Sequence, residues 1–395
     1  MTRIMIVYGT RPEAVKLAPV IRAMNDAPDL EPIVVVTGQH RSMLDQVNTL
    51  FGIQVEHDLD ILEPRQTLDG VTVRALSGLS PVISADRPAA VLVQGDTTTT
   101  FTAALAAFYA RVPVVHLEAG LRTGDVSSPF PEEMNRRLTT QLASLHLAPT
   151  GTSRVNLERE GVSPARIVVT GNTVIDALLD VVSQRRPYEE PQLGRLDEDA
   201  RRVILVTMHR RESWGEPMRG VGRAIATVAR EHPDMLVVLP VHRNPVVQEA
   251  LLPPLRSLPN VLVTEPLGYG DFSRLMVRAT LILTDSGGVQ EEAPSLGKPV
   301  LVLRDNTERP EAVRAGTVRL VGTDPETVVR RIEELLINAD AYAVMARAVN
   351  PYGDGTAASR SLEAVRNMLG SAPLPEDFHP TEAVPSAARA SVLTG

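Results

Sequence analysis

Val112-Pro113-Val114-Val115-His116-Leu117-Glu118-Ala119-Gly120-Leu121-Arg122-Thr123-Gly124 opens as an apolar, β-branched run and ends in a charged turn. Four apolar residues bounded by turn formers suit a strand buried on both faces of a parallel sheet. In an open α/β sheet, ligands bind where the chain leaves the carboxyl end of such a strand. His116, Glu118 and Arg122 lie at that end, and Glu132, Glu133, Arg136 and Arg137 follow after a short spacer. Gly120, Gly124, Pro129 and Pro131 fix the backbone of this charged loop, which a merely solvated surface would not require. The stretch therefore predicts the working edge of an enzyme built on a parallel sheet.

The same rhythm runs along the chain. Strand-like runs at Arg3–Tyr8, Pro32–Thr37, Ala90–Gln94, Leu145–Ala148 and Ile167–Thr170 alternate with amphipathic stretches such as Ala14–Asn25. A second series follows at Val203–Thr207, Met235–Pro240, Val261–Thr264, Leu281–Thr284, Val300–Leu303 and Val318–Val321. Alternating β and α elements call for parallel sheets with helices on both faces, so the fold class is α/β. A length of 395 residues suits two domains. The boundaries read as residues 1–172 with about 355–370 for the first domain and 173–354 for the second. Thr356–Leu369 reads as a last amphipathic helix, and 371–395, rich in Pro, Ala and Ser, as a disordered tail.

Composition removes several function classes. The formal net charge of −8 argues against a nucleic-acid partner, and 3% aromatic residues leave little for base stacking. With no cysteine there is neither disulfide, thiol catalysis nor thiolate metal site, and no metal is expected. No apolar run approaches the ~18 residues of a membrane span. Met1-Thr2-Arg3 followed at once by Ile4–Val7 does not resemble a secretory leader, so a cytoplasmic location is expected. Lys16 and Lys298 are the only lysines among 40 basic residues.

Several motifs leave strands. Gly9-Thr10-Arg11-Pro12-Glu13 begins a helix with Pro12 suited to its first position, and the free N–H groups there, with Arg11 and Lys16, could hold an anion. An ordinary cap with two surface cations is the plainer explanation. No Gly-x-Gly-x-x-Gly occurs, so no nicotinamide cofactor is implied. Gln94-Gly95-Asp96-Thr97 puts Asp96 at a strand end, as a cleft carboxylate or as the cap of the next helix. His209-Arg210-Arg211-Glu212 and Asp285-Ser286-Gly287-Gly288 close strands in the second series. Small residues at Ser286–Gly288 would let backbone amides approach a diphosphate, and an acidic residue one turn later could accept ribose hydroxyls.

Taken in order, Gly9-Thr10-Arg11-Pro12-Glu13-Ala14, Thr37-Gly38-Gln39-His40, Gln94-Gly95-Asp96-Thr97, His116–Thr123, Pro131-Glu132-Glu133-Met134-Asn135-Arg136, Gly171-Asn172-Thr173-Val174-Ile175-Asp176 and Asp285–Glu292 resemble the signature set of bacterial non-hydrolysing UDP-N-acetylglucosamine 2-epimerases. The resemblance spans about residues 1–370. It implies two Rossmann-like, doubly wound domains facing a cleft, the GT-B-type architecture, with the C-terminal helix returning to the first domain. It also implies a homodimer, no cofactor, and interconversion of UDP-GlcNAc and UDP-ManNAc. Catalytic roles fall on Asp96, Glu118, Glu132, Arg136 and His209. UDP contacts fall on Arg11, Lys16, His209, Leu267, Phe272, Ser286, Gly287, Gly288, Glu292 and Arg309. A second, activating UDP-GlcNAc would meet Gln39, His40, Ser42, Arg65, Gln66, Arg210 and His242. Ser42 stands where the family often has glutamine, which predicts a weaker activator site.

The implied reaction removes hydrogen from a carbon that no carbonyl activates. Expelling UDP from C1 builds oxocarbenium character and acidifies the C2 proton, giving 2-acetamidoglucal, to which UDP adds back. That route needs cations around the diphosphate and carboxylates near both faces of the sugar. Asp96 and Glu118 are the favoured acid–base pair, with Glu132 and Arg136 orienting the sugar or completing proton transfer. The competing readings are a UDP-sugar-dependent glycosyltransferase, a hydrolysing epimerase, a 2-epimerase for a related diacetamido uronate, and a non-catalytic UDP-sugar sensor. A sensor would be expected to have lost carboxylates that this chain keeps.

Overall fold

A computed structural model of the chain describes residues 1–38, 41–63 and 66–380, with residues 41–43 described in their backbone only. The chain forms two compact units, one from residues 1–177 and 352–379, the other from 178–351. The first holds strands β1 (Thr2–Tyr8), β2 (Leu30–Val36), β3 (His57–Asp58), β4 (Ala90–Gln94), β5 (Val114–Leu117), β6 (Leu145–Ala148) and β7 (Ile167–Val169). They make one parallel sheet in the order β3-β2-β1-β4-β5-β6-β7. The second holds β8 (Arg202–Thr207), β9 (Met235–Pro240), β10 (Val261–Thr264), β11 (Ala279–Thr284), β12 (Val300–Val302) and β13 (Val318–Leu320), ordered β10-β9-β8-β11-β12-β13 and again parallel. Both are doubly wound, Rossmann-like sheets.

The strands form where the sequence places its apolar runs because both faces are covered. Ile4, Met5, Ile6 and Val7 have no exposed surface, and Leu205 and Val206 repeat this in the second unit. Met5, Val7, Val91 and Val93 pack with Leu79, Ile83, Ala103 and Ala107 from the flanking helices. In the second unit Val206, Val237 and Leu283 pack with Val221, Ile225 and Ile332. At ~25 cal/mol per Å² of apolar area, such layers supply the bulk of the folding free energy. No helix of the described residues is long and apolar enough to cross a membrane.

The strand order reverses direction between β1 and β4, and again between β8 and β11. These are the switch points at which doubly wound sheets open a crevice. Gly9 and Gly95 leave the first pair, and His209 and Ser286 follow the second.

Three local expectations change. The first helix runs Arg11–Asn25, with Thr10 as its cap and Pro12 one place later than expected. Thr97, not Asp96, caps the helix Thr98–Tyr109, its hydroxyl accepting from the Thr100 N–H, so Asp96 is released from that duty. The C-terminal helix, Ala357–Met368, packs on the first unit, against the Arg11–Asn25 helix and β6. Residues 371–379, expected as the start of a disordered tail, instead follow the first sheet's edge. Val169 of β7 donates to Asp377 Oδ1 (2.8 Å) and accepts from the Phe378 N–H (2.6 Å), while Phe378 is buried. An edge strand presents unpaired backbone groups, and this segment satisfies them. The rest of the expected tail, 381–395, lies outside the described residues.

Candidate active site

The first unit gathers its charged groups at the carboxyl ends of β1, β4 and β5. Glu118 follows β5 in a left-handed conformation, φ 64°, which costs a non-glycine residue energy and is stored preferentially at functional sites. Two residues on, Gly120 (φ 91°) passes so close to the helix Gly151–Arg159 that a Cβ would lie 2.3 Å from the Ser153 carbonyl oxygen. Only glycine permits that approach, and the turn it makes sets Glu118 back over the sheet.

The Glu118 carboxylate is 8% exposed and held from three sides. Lys16 Nζ pairs with its Oε1, Gln94 Nε2 donates to its Oε2, and Asn172 Nδ2 donates to Oε1 at 3.0 Å. Lys16, expected on a diphosphate, is thus the counter-ion of Glu118. Asp96 stands beyond Gly95 at the end of β4. Arg136 Nη2 lies 2.6 Å and Nε 2.9 Å from its Oδ2, and Asn135 Nδ2 donates to its carbonyl (2.9 Å). Glu132 and Arg136 share the helix Glu132–Leu142, one turn apart. Glu132 Oε2 is buried and meets no hydrogen-bond partner among the described residues. A buried carboxylate oxygen without a partner is costly and expects one from a ligand or a proton.

Supporting groups surround these. Glu133 is fully buried and accepts from Arg136 Nη1 (3.0 Å) and the Thr123 N–H (3.0 Å), tying Arg136 to the loop after β5. Glu13 is also buried, and its carboxylate accepts from the Thr10 N–H (2.8 Å) and from Thr97 Oγ1 (2.7 Å), joining the β1 and β4 turns. Burial raises the Glu13 carboxyl above its ordinary range. Arg122, quoted in the opening stretch, is spent on a bidentate pair with Glu160, both contacts 2.6 Å. His116 donates to the Gly95 carbonyl (2.8 Å), and burial holds its imidazole at about 4, so it is neutral at pH 7. Arg11 is exposed at the helix start.

In the second unit, Asp285 is the organiser. It follows β11 with no exposed surface, and its Oδ2 accepts from the His209 N–H (2.8 Å) and the Arg210 N–H (2.7 Å). His209 Nδ1 lies 3.3 Å from Asp285 Oδ1, and its ring stacks on His242 at 6.0 Å between centroids, 18° between planes. The helix Gly287–Glu292 starts at the Ser286 cap. Both Arg210 and Arg309 reach Gly287, since a Cβ there would meet Arg210 Nη2 at 3.7 Å and Arg309 Nη2 at 3.9 Å. Arg210 Nε is buried with no hydrogen-bond partner among the described residues. Arg309 is steadied by Glu291, and Glu292 Oε1 sits 3.6 Å from a Cβ placed on Gly288. Two guanidinium groups over a glycine turn at a helix start make an anion site, and the nearby carboxylate suits a diol. Phe272 and Leu267 are half-buried near the start of the helix Tyr269–Arg278.

Of the remaining residues assigned to an activator site, Gln66 accepts from Arg74 Nη2 at 3.1 Å in the first unit. Gln39, His40, Arg65 and the Ser42 side chain lie outside the described residues. Sequence reasoning assigned no role to Glu13, Gln94, Glu133, Asn172 or Asp285. Glu13 was findable as the fourth residue of a capping box beginning at Thr10. The others sit inside the quoted motifs, but their neighbours across the sheet are not written in the chain.

Asp285→Asn keeps an acceptor for the two N–H groups and removes the charge. Hydrogen bonds to charged groups exceed neutral ones by about 1 kcal/mol each, so a loss of about 2 kcal/mol in urea unfolding is expected. An unchanged midpoint would deny Asp285 its organising role.

The sequence profile of the UDP-N-acetylglucosamine 2-epimerase family matches residues 22–366. The UDP-N-acetylglucosamine 2-epimerase of Escherichia coli K12 is 53% identical over 371 residues, 92% of this chain and 98% of that protein. Among solved structures, the UDP-GlcNAc 2-epimerase of Neisseria meningitidis bound to UDP-GlcNAc is 45% identical with a TM-score of 0.83, covering 93% of this chain and all of that one (100%). A co-structure of S. aureus MnaA with UDP superposes with a TM-score of 0.85 at 45% identity, over 96% of this chain and 100% of that one. With its two parallel Rossmann-like sheets of GT-B type, this chain belongs to the UDP-N-acetylglucosamine 2-epimerase family.

Proposed function

We propose that the protein inverts C2 of UDP-GlcNAc, interconverting it with UDP-ManNAc. The observation that carries this is the pairing of two strand-end carboxylates with their own cations, Glu118 with Lys16 and Asp96 with Arg136, beside the unpartnered Glu132 oxygen. A transferase using a UDP-sugar needs one dominant base and an acceptor. Three carboxylates on one edge suit proton removal and return on two faces of a ring. The E. coli relative carries the same activity in its name, and the N. meningitidis relative was crystallised with UDP-GlcNAc.

The second unit's groups take the nucleotide. Arg309 with the Ser286–Gly288 turn holds the diphosphate, Glu292 accepts the ribose hydroxyls, and His209, oriented by Asp285, stabilises departing UDP. Leu267 and Phe272 flank the base. As the C1–O bond to UDP breaks, one carboxylate removes the C2 proton, leaving 2-acetamidoglucal. A proton then returns to the opposite face of C2 while UDP oxygen re-forms the bond to C1. Lys16 beside Glu118 and Arg136 beside Asp96 place a positive charge against each carboxylate. The same reading takes in a cytoplasmic homodimer and a second UDP-GlcNAc that activates through Arg210 and His242.

Incubation with UDP-GlcNAc in heavy water, followed by proton NMR, tests this. Deuterium is expected at C2 of the UDP-ManNAc formed and of the recovered UDP-GlcNAc, with neither acceptor nor NAD added. UDP-ManNAc that keeps its original C2 hydrogen would reject elimination. Accumulation of free ManNAc and UDP would assign the hydrolysing reaction instead.

A further inference from the structure

Gly171-Asn172-Thr173-Val174-Ile175-Asp176 contributes no group to the proposed reaction, yet it is tied both to Glu118 and to the chain that re-enters the first unit. Asp176 accepts from the Ala358 N–H (2.8 Å) and the Ala357 N–H (3.3 Å), capping the returning C-terminal helix. Gly171, φ 84°, lies against the re-entering chain, and a Cβ on it would stand 3.4 Å from Gly353 Cα. Asn172 is 3% exposed, and each of its polar groups is committed. Its N–H donates to the Tyr352 carbonyl at 2.6 Å, and its Oδ1 accepts from the Val174 N–H at 3.1 Å. With Oδ1 so engaged, the amide must turn its NH₂ toward Glu118, where Nδ2 lies 3.0 Å from Oε1.

We propose that Asn172 is a positioning residue for Glu118, anchoring that carboxylate to the junction where the chain leaves and re-enters the first unit. Glu118 needs such an anchor because its left-handed backbone is strained, and Lys16 and Gln94, which also hold it, carry long, rotatable side chains. Asn172 is shorter and is pinned at both its backbone and its Oδ1. Charged or titratable groups near Glu118 include Lys16 from the Arg11–Asn25 helix, its ion-pair partner, and His116 on β5, which feels the charges of both Glu118 and Asp96. The kinetic consequence rests on the 2-epimerase reading, whereas the positioning itself does not.

Asn172→Asp and Asn172→Ala separate this from a structural role. Aspartate keeps the acceptor for the Val174 N–H but turns an oxygen toward Glu118, while alanine loses both contacts. If Asn172 serves Glu118, aspartate is the worse variant. Its kcat falls about tenfold or more below that of Asn172→Ala, with UDP affinity within about twofold of wild type, because a like charge raises the pKa of its neighbour. The acid limb of its kcat profile moves up by about one pH unit or more. Carboxyl ¹³C NMR of glutamate-labelled protein, with the Glu118 signal assigned by its loss in Glu118→Gln, shows the same upward shift. If alanine is worse than aspartate and the Glu118 titration is the same in wild type and Asn172→Asp, the role is structural and the proposal is overturned. Should wild-type protein leave UDP-GlcNAc unchanged, the 2-epimerase reading fails while the NMR titration still decides the placement of Glu118.

Discussion

Glu118→Gln should lower kcat by about 10²-fold or more, the scale on which a positioned acid or base contributes, with the UDP dissociation constant nearly unchanged. Glutamine has the same shape, can still be held by Lys16 and Asn172, and tolerates the same left-handed backbone as poorly as glutamate does. What it loses is the charge and the capacity to take a proton. Asp96→Asn, which strips Arg136 of its carboxylate partner, should show a comparable loss. Both groups sit in the first unit, and the proposed UDP contacts of the second unit, centred on Asp285 and Gly287, are built from separate residues. Isothermal titration with UDP beside steady-state kinetics reads the two quantities separately. A Glu118→Gln enzyme that binds UDP normally and turns over near the wild-type rate would remove Glu118 from the chemistry.

The sheets were legible because a strand buried on both faces must be written as a continuous apolar run. Ile4–Val7, Val203–Val206 and Leu281–Leu283 carry that signal without tertiary help. The two-residue strand β3, His57–Asp58, carries none, since its pairing with β2 rests on only Val35 and Val36. The strand-end positions of the proposed site residues were legible, as with Asp96, Glu118 and His209. Their partners were not, because partnership depends on strand order. Lys16 reaches Glu118 across 102 positions of sequence, and Asn172 reaches it across 54. Nothing local to Lys16 separates a counter-ion for a carboxylate from one for a phosphate. Composition likewise hid the role of 371–379, where a Pro- and Ser-containing segment meets the backbone of Val169 on an edge strand through the Asp377 carboxylate and the Phe378 N–H.

Acid should destabilise the first unit through a pair of histidines beneath the proposed acid–base groups. His116 on β5 and His146 on β6 are register neighbours, and neither has exposed surface. Neither ring nitrogen of His146 has a hydrogen-bond partner among the described residues, and burial, with His116 and Arg166 nearby, brings it down to about 3. Burial brings His116 to about 4. Both folded values lie below the ordinary ~6.5, so the unfolded chain takes up these protons first as pH falls. The stability they allow is complete above ~6.5 and drains away as pH drops toward the folded values. Asp176 works in the opposite sense, because burial raises it to about 6 and its native state binds a proton before the unfolded chain does. The total slope is therefore shallower than two histidines would give, and a single variant is needed to expose one of them. For His146 the linkage amounts to about 3 kcal/mol between pH 7 and pH 4. Urea unfolding of wild type and His146→Leu at both pH values should show their stability difference changing by about that much in favour of the variant at acid pH. The fixed cost of reshaping the core cancels from that comparison. Parallel stability curves would mean that His146 is already protonated in the native state, or reaches water that the closed β5–β6 layer is built to exclude.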